Sequence, residues 1–391
     1  MKNHFLKTAL LTLTLSVAAV SQSYSFETTA KTATLLDVQT GDIIYSKNSD
    51  TPLPPSSMSK LMTAYMLLDA IKDGQVTLDQ EVVVSEHAGQ KSLEMQREGG
   101  STMYLKAGDM VKVDELLKGV IIASANEACV VIAELVSGSE EQFAIDANKK
   151  AEEIGMTGSN IVNASGWPVP DHLMTSHDLA VLGMRLQKDF PDHFEYFSKK
   201  SFEFKTSSAP FINRNKLLWL DKSATGLKTG HTTVGGYGMT ASFDRGGRKL
   251  VAVMNGMTLE ANGSARKNIE RSKRLKEFAD WGYATTENYK FFTAGQTVLE
   301  APVWYGKKAT AELTTSEDIV LTLQKGGYKN VDFIAYYLGP INAGVKKGEV
   351  IGELSIEKEG KVLKTFDLVA KEDIKAAGIL GKFLNNIKNL F

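Results

Sequence analysis

Apolar residues at 33–38, a polar break at Gln39-Thr40-Gly41-Asp42 and a second apolar run at 43–45 predict a β-hairpin, with Gly41 supplying the turn's unusual backbone angles. Pro52, Pro54 and Pro55 stop that pattern. From 58 to 71 the period changes: Leu61, Met62, Tyr65, Leu68 and Ile71 recur at helical spacing, with Ser56 or Ser57 as the natural start and Gly74 as the stop. Residues 89–101, including Glu94, Arg97, Gly99 and Gly100, show no clear period and predict an exposed loop. Helical spacing returns at 113–123, 126–135, 139–154 and 175–188, interrupted at 163–171 by a loop containing Gly166, Pro168 and Pro170.

The texture then turns to strands at 227–232, 237–243 and 249–255, the last two joined by Asp244-Arg245-Gly246-Gly247, which predicts antiparallel pairing. A helix at 265–281 completes an α+β domain of helices packed on an antiparallel sheet. Past Asn288 only short β-rich runs remain, at 297–305, 319–323, 331–338, 350–356 and 362–369, so a small all-β sandwich is expected. At the end of the chain Ile379, Leu380, Phe383, Leu384, Ile387 and Phe391 fall on one helical stripe, with Lys375, Lys382, Asn385 and Lys388 largely off it. This predicts an amphipathic C-terminal helix over 371–391 lying in a membrane surface; a terminal helix docked on the β domain is the alternative.

At the other end, Lys2 and Lys7 precede an apolar run at 9–20 that is too short to span a bilayer comfortably, and Ser23 and Ser25 suit a signal peptidase. The expected organisation is a signal peptide at 1–25, an α+β domain at 26–288, a β-sandwich at 289–370 and the terminal helix at 371–391. The 45 basic and 46 acidic residues nearly cancel, which removes any global field toward nucleic acid, and no nucleic-acid partner is expected. Cys129 has no partner for a disulfide and sits in an apolar helical run, where a core thiol belongs.

Three short motifs carry chemistry. In Ser57-Met58-Ser59-Lys60 the spacing of three puts hydroxyl and amine on one helix face, with Cβ atoms about 5 to 6 Å apart. A serine needs a base to act as a nucleophile, and a buried lysine near another cation is neutral enough to serve. Ser124-Ala125-Asn126 lies between two helical runs; its hydroxyl could relay a proton and its amide could hold a substrate backbone, although a helix cap is the commoner use of such residues. Lys228-Thr229-Gly230-His231 on a predicted strand combines fixed positive charge, a carboxylate-binding hydroxyl and a glycine that lets a substrate backbone approach. Each motif is weak alone. In this order and these settings they form the serine-x-x-lysine, serine-aspartate-asparagine and lysine-threonine-glycine set of class A β-lactamases and penicillin-binding proteins, with Ala125 in place of the aspartate.

On these motifs, and on Leu35-Leu36-Asp37, Asn126-Glu127-Ala128-Cys129, Asn213-Arg214-Asn215, Leu217-Leu218-Trp219 and the Gly226-Leu227 that leads into Lys228, the chain resembles the low-molecular-mass penicillin-binding proteins that act as serine-type D-alanyl-D-alanine carboxypeptidases. The resemblance implies acyl transfer on peptidoglycan stem peptides ending in D-Ala-D-Ala. Ser57 would attack the penultimate carbonyl with Lys60 as base, its pKa lowered by Lys228; Ser124 would pass a proton to the departing amine, and Asn126 would bond the substrate amide. Backbone N–H groups of Ser57 and His231 would form the oxyanion hole. Thr229, Lys228 and Arg214, on and beside the Gly230 strand, would hold the free carboxylate with a second arginine, for which Arg266 is preferred to Arg271. The resemblance further implies covalent inhibition by β-lactams and a periplasmic enzyme attached peripherally to the outer face of the inner membrane.

No cofactor is implied, and His4, His87, His172, His177, His193 and His231 lack a zinc-ligand spacing such as His-x-x-x-His. A β-lactamase would need a glutamate that hydrolyses the drug ester, typically in Glu-x-x-Leu-Asn, and no such string lies between Asn126 and Lys228. A non-catalytic cell-wall binding protein, with the sandwich as its working part, would have no use for the complete serine and lysine set.

Overall fold

The computed structural model describes residues 26–378 and, outside them, only the two-residue strand Thr8–Ala9. The rest of the expected leader, and the terminal stripe from Ile379 onward, lie outside the described residues. The chain divides between Ala284 and Thr285 into two compact units.

The first unit is built on a five-stranded antiparallel sheet in the order Ile43–Lys47, Thr32–Asp37, Arg248–Met257, Gly236–Arg245, Ala224–Thr232. Side chains alternate across it. Leu250, Ala252 and Met254 pack with Leu275, Phe278 and Ala279 of helix Ser264–Thr285 on one face. Val251 and Val253 pack on the other, with Leu179 and Leu182 of helix Ser176–Asp189 and the apolar residues of helices Lys60–Lys72 and Asn126–Ser137. Cys129 is buried in that second core.

Residues 89–101, expected as a loop, lie largely in helix Glu86–Glu98. Ser85 caps it by accepting the Ala88 N–H at 3.0 Å, and Gly99 ends it in a left-handed conformation. Its inward positions Ala88, Ser92 and Met95 keep helical spacing, but two of them are small or polar, so the apolar period is faint. The expected helix at 113–123 is α-helical over Val113–Lys118 and widens to a π turn over Gly119–Ala123, which delivers Ser124 with φ 62.

In the second unit, strands Asp332–Tyr337, Val350–Lys358, Lys361–Ala370, Thr310–Thr314, Leu299–Trp304 and Ile341–Asn342 neighbour one another in that order, and Thr286–Phe292 pairs with Ile319–Gln324 in a second sheet. Leu299, Ala301, Leu313, Ile319, Leu354, Ile356 and Leu368 form the core of this β-sandwich. The unit begins earlier than residue 289 because strand Thr286–Phe292 starts directly after the helix ending at Thr285. Residues 372–378 are irregular rather than helical: Ile374 donates to Val345 O at 2.9 Å, and Ala377 donates to Tyr305 O at 2.7 Å. Backbone groups that a helix would pair internally are spent on the sandwich.

Candidate active site

Ser57 sits in a 3₁₀ turn, Ser56–Ser59, that precedes helix Lys60–Lys72. With three residues per turn, side chains three apart eclipse, so this turn aligns serine and lysine more closely than the α-helix expected from sequence. Lys60 Nζ lies 3.4 Å from Ser57 Oγ. The ammonium also donates to Asn126 Oδ1 at 2.7 Å and to the Ser165 carbonyl. Asn126 Nδ2 in turn donates to Ser101 O at 3.0 Å, anchoring the amide at both ends. Burial pulls the Lys60 pKa below the ordinary lysine value; Arg214 adds to the fall, while Cys129, Glu127 and Glu140 oppose it.

Lys228 is buried on strand Ala224–Thr232, and its pKa lies well below the ordinary lysine value through burial, then through the charges of Lys60, Arg214 and Arg271. The expectation that Lys228 is what lowers Lys60 is therefore amended: burial acts first on both. Lys60 Nζ has three acceptors, Ser57 Oγ, Asn126 Oδ1 and the Ser165 carbonyl, whereas Lys228 donates to Thr229 O at 3.3 Å. A Cβ at Gly230 would lie 2.8 Å from Pro55 O and 3.1 Å from Ser56 Cβ. Glycine is required there for the strand to lie against the serine turn.

Ser57, Ser124, Asn126, Arg214, Thr229, Gly230 and His231 line one pocket of about 400 Å³. Arg214 reaches it because its neighbours turn inward: Asn213 Nδ2 donates to Lys199 O at 3.0 Å, and Asn215 Oδ1 accepts the Leu217 N–H at 3.0 Å. Both asparagines are buried. Arg266 does not reach the pocket; it is exposed, and Arg271 takes the place assigned to it. The reason is helical phase: Ser264, Asn268 and Arg271 share the inward face of helix Ser264–Thr285 and line the pocket, whereas position 266 is off that face. Arg271 donates to Gly230 O at 2.7 Å, Gly238 O at 3.1 Å and Asn268 Oδ1 at 2.5 Å, and burial brings its pKa down to about 9. His231 is exposed and stacks on Tyr237, ring centroids 3.9 Å apart. Aspartate and glutamate are absent from the pocket wall among the described residues, so its field favours an anionic ligand. Among those residues no group of three or more His, Cys, Asp or Glu could hold a metal.

The family described as D-alanyl-D-alanine carboxypeptidase matches residues 16–258. The chain belongs to the serine-type D-alanyl-D-alanine carboxypeptidases. Residues 287–376 of this carboxypeptidase match the penicillin-binding protein 5 C-terminal domain. D-alanyl-D-alanine carboxypeptidase DacF of Bacillus subtilis is 33% identical over 357 residues, covering 90% of this chain and 87% of that one. The structure of penicillin binding protein 5 from Haemophilus influenzae matches with a TM-score of 0.79 at 29% identity, covering 90% of this chain and 99% of that one. Penicillin-Binding Protein D2 from Listeria monocytogenes, solved in an ampicillin-bound form, matches with a TM-score of 0.55 at 25% identity over 65% of this chain and 98% of its own. The family acts on peptidoglycan peptides ending in D-Ala-D-Ala and binds β-lactams.

Two buried groups of this carboxypeptidase escaped the sequence reading. Glu127 Oε1 accepts the Met103 N–H at 2.7 Å and the Leu105 N–H at 3.4 Å, and burial pushes its carboxyl up to about 6. His172 lies behind the serine turn, 2.9 Å from Ser59 Oγ. Neither has a spacing that singles it out; the asparagine motif beside Glu127 is the nearest signal.

Proposed function

We propose that Ser57 is the nucleophile that removes the terminal D-alanine from peptidoglycan pentapeptides. Its Oγ bonds to the carbonyl carbon of the penultimate D-alanine, and its proton passes to Lys60. The peptide C–N bond breaks as Ser124 delivers a proton to the departing amine and is reprotonated with the one Lys60 took from Ser57. Asn126 positions the substrate amide, and the N–H groups of Ser57 and His231 face the oxyanion, where one donor is worth about 3 to 4 kcal/mol. Thr229, Lys228, Arg214 and Arg271 hold the free carboxylate. Water then releases the shortened peptide. The observation that carries this reading is the contact at 3.4 Å between the buried Lys60 Nζ and the Oγ of Ser57, which lines a pocket walled by arginines and hydroxyls.

Among the described residues the wall has no carboxylate to activate water, which supports slow deacylation: a fluorescent penicillin stays bound for minutes or longer. The leader pattern before residue 26 and the terminal stripe support an exported, periplasmic enzyme held peripherally at the outer face of the inner membrane. Among the described residues no helix is long and apolar enough to cross a membrane. Incubation with a pentapeptide and mass analysis of the products tests the reaction: the wild type loses one D-alanine and Ser57→Ala loses none, whereas equal release by both contradicts it. Pelleting with anionic vesicles tests the tail, since a chain truncated after Gly378 stays in solution.

A further inference from the structure

His172 is only 2% exposed, and both ring nitrogens are engaged. Nδ1 accepts the backbone N–H groups of Val162 at 3.1 Å and Asn163 at 3.3 Å. Nδ1 is therefore the unprotonated nitrogen, Nε2 carries the hydrogen, and the ring donates to Ser59 Oγ at 2.9 Å. Burial and the charge of Lys60 bring its pKa down to about 4, in keeping with a neutral ring.

What the imidazole joins gives it consequence. Ser59 lies between Ser57 and Lys60 in the sequence of the serine turn. Asn163 opens a loop whose fold it organises itself: its Oδ1 accepts the N–H groups of Ser165 at 3.2 Å and Gly166 at 2.8 Å. The carbonyl of Ser165 accepts from Lys60, and the carbonyl of Ala164 from Thr63 Oγ1. His172 thus ties the loop that carries one of the three acceptors of the Lys60 ammonium to the turn that carries another, Ser57 Oγ.

Resting on the reading of Ser57 as nucleophile and Lys60 as base, we infer that His172 is a positioning residue for the reaction: through Ser59 and the Ser165 carbonyl it sets where Lys60 holds its proton. Lys60 is also reached electrostatically by Glu127, Cys129, Glu140 and Arg214, and it acts on Lys228. Those groups stay in place when the imidazole is removed. Loosening the loop takes an acceptor from the ammonium, which favours the neutral amine and misplaces it at once.

The test is the second-order rate of acylation by a fluorescent penicillin, followed across pH, for the wild type, His172→Ala and His172→Asn. Asparagine offers an oxygen near the place of Nδ1. Alanine is expected to lower the rate on the order of 10²-fold and to move its acid limb to lower pH. Asparagine restores the loop side of the tie but not the bond to Ser59, and is expected to recover only part of both. A wild-type rate and limb in the alanine variant overturn the inference, as does a slowed rate with an unmoved limb that asparagine fails to rescue. If the alanine variant does not fold, Ser59→Ala decides: it removes the hydroxyl that the imidazole meets at 2.9 Å, so a wild-type rate and limb overturn the inference, whereas a slowed rate with a limb displaced to lower pH supports it. Ser57→Ala separates the two levels: labelling that survives it sinks the reading of the site, whereas labelling lost with Ser57 but indifferent to His172 sinks only this inference.

Discussion

Arg271 donates to the Gly230 carbonyl at 2.7 Å from inside the molecule, clamping the middle of the lysine-threonine-glycine strand while facing the pocket. Arg271→Ala therefore removes a charge from the proposed carboxylate site and leaves strand carbonyls without their donor. A charge-assisted bond of this kind contributes about 1.5 to 3 kcal/mol, so kcat/KM for D-alanine release falls roughly 10- to 100-fold. Arg266→Ala, on the exposed face, leaves it within twofold.

Gly166 has φ +73, and a Cβ there would lie 2.1 Å from Ser56 O. Gly166→Ala combines a left-handed alanine, costing about 1 to 2 kcal/mol, with a clash against the serine turn. A lowered denaturant midpoint and slower penicillin labelling are expected together; an unchanged midpoint contradicts the packing.

The lysines give a pH signature with a definite sign. A lysine whose pKa is lowered by folding binds fewer protons in the folded than in the unfolded chain, so it makes stability rise with pH between the two pKa values. Lys228→Met removes that penalty. The variant is inactive but more stable near neutral pH, on the order of 1 to 2 kcal/mol. Its advantage grows as pH falls from the ordinary lysine value of about 10.4 toward the folded pKa, then levels off. Denaturant melts from pH 7 to pH 10 read the difference.

Burial pushes the Cys129 thiol up to about 12, which leaves almost no thiolate at neutral pH. A thiol reagent modifies the denatured chain and spares the native one, and Cys129→Ala keeps D-alanine release.

Much of this was legible because strong signals coincide. Alternating strands joined by Gly246-Gly247, and a helical period that follows the serine turn and stops before Gly74, depend on local chemistry that the chain states outright. The helix carrying Ser92 was hidden because its buried face is small and polar. Arg271 lost to Arg266 because the resemblance places the second arginine ahead of the helix ending at Trp281, whereas the arginine that lines the pocket lies within helix Ser264–Thr285. His172 was invisible for a different reason: its partners, the Val162 and Asn163 backbone and Ser59, lie 9 to 113 residues away, and only folding brings the last of them into contact.

Whether Ser57 alone carries the acyl group has a direct readout. Trapping the enzyme with penicillin at short times, digesting it and sequencing the modified peptide by mass locates the acylated hydroxyl. A single adduct on Ser57, absent from Ser57→Ala and formed far more slowly in Lys60→Met, is expected; an adduct on Ser59 or Ser124, or one that persists without Ser57, rules out Ser57 as the nucleophile.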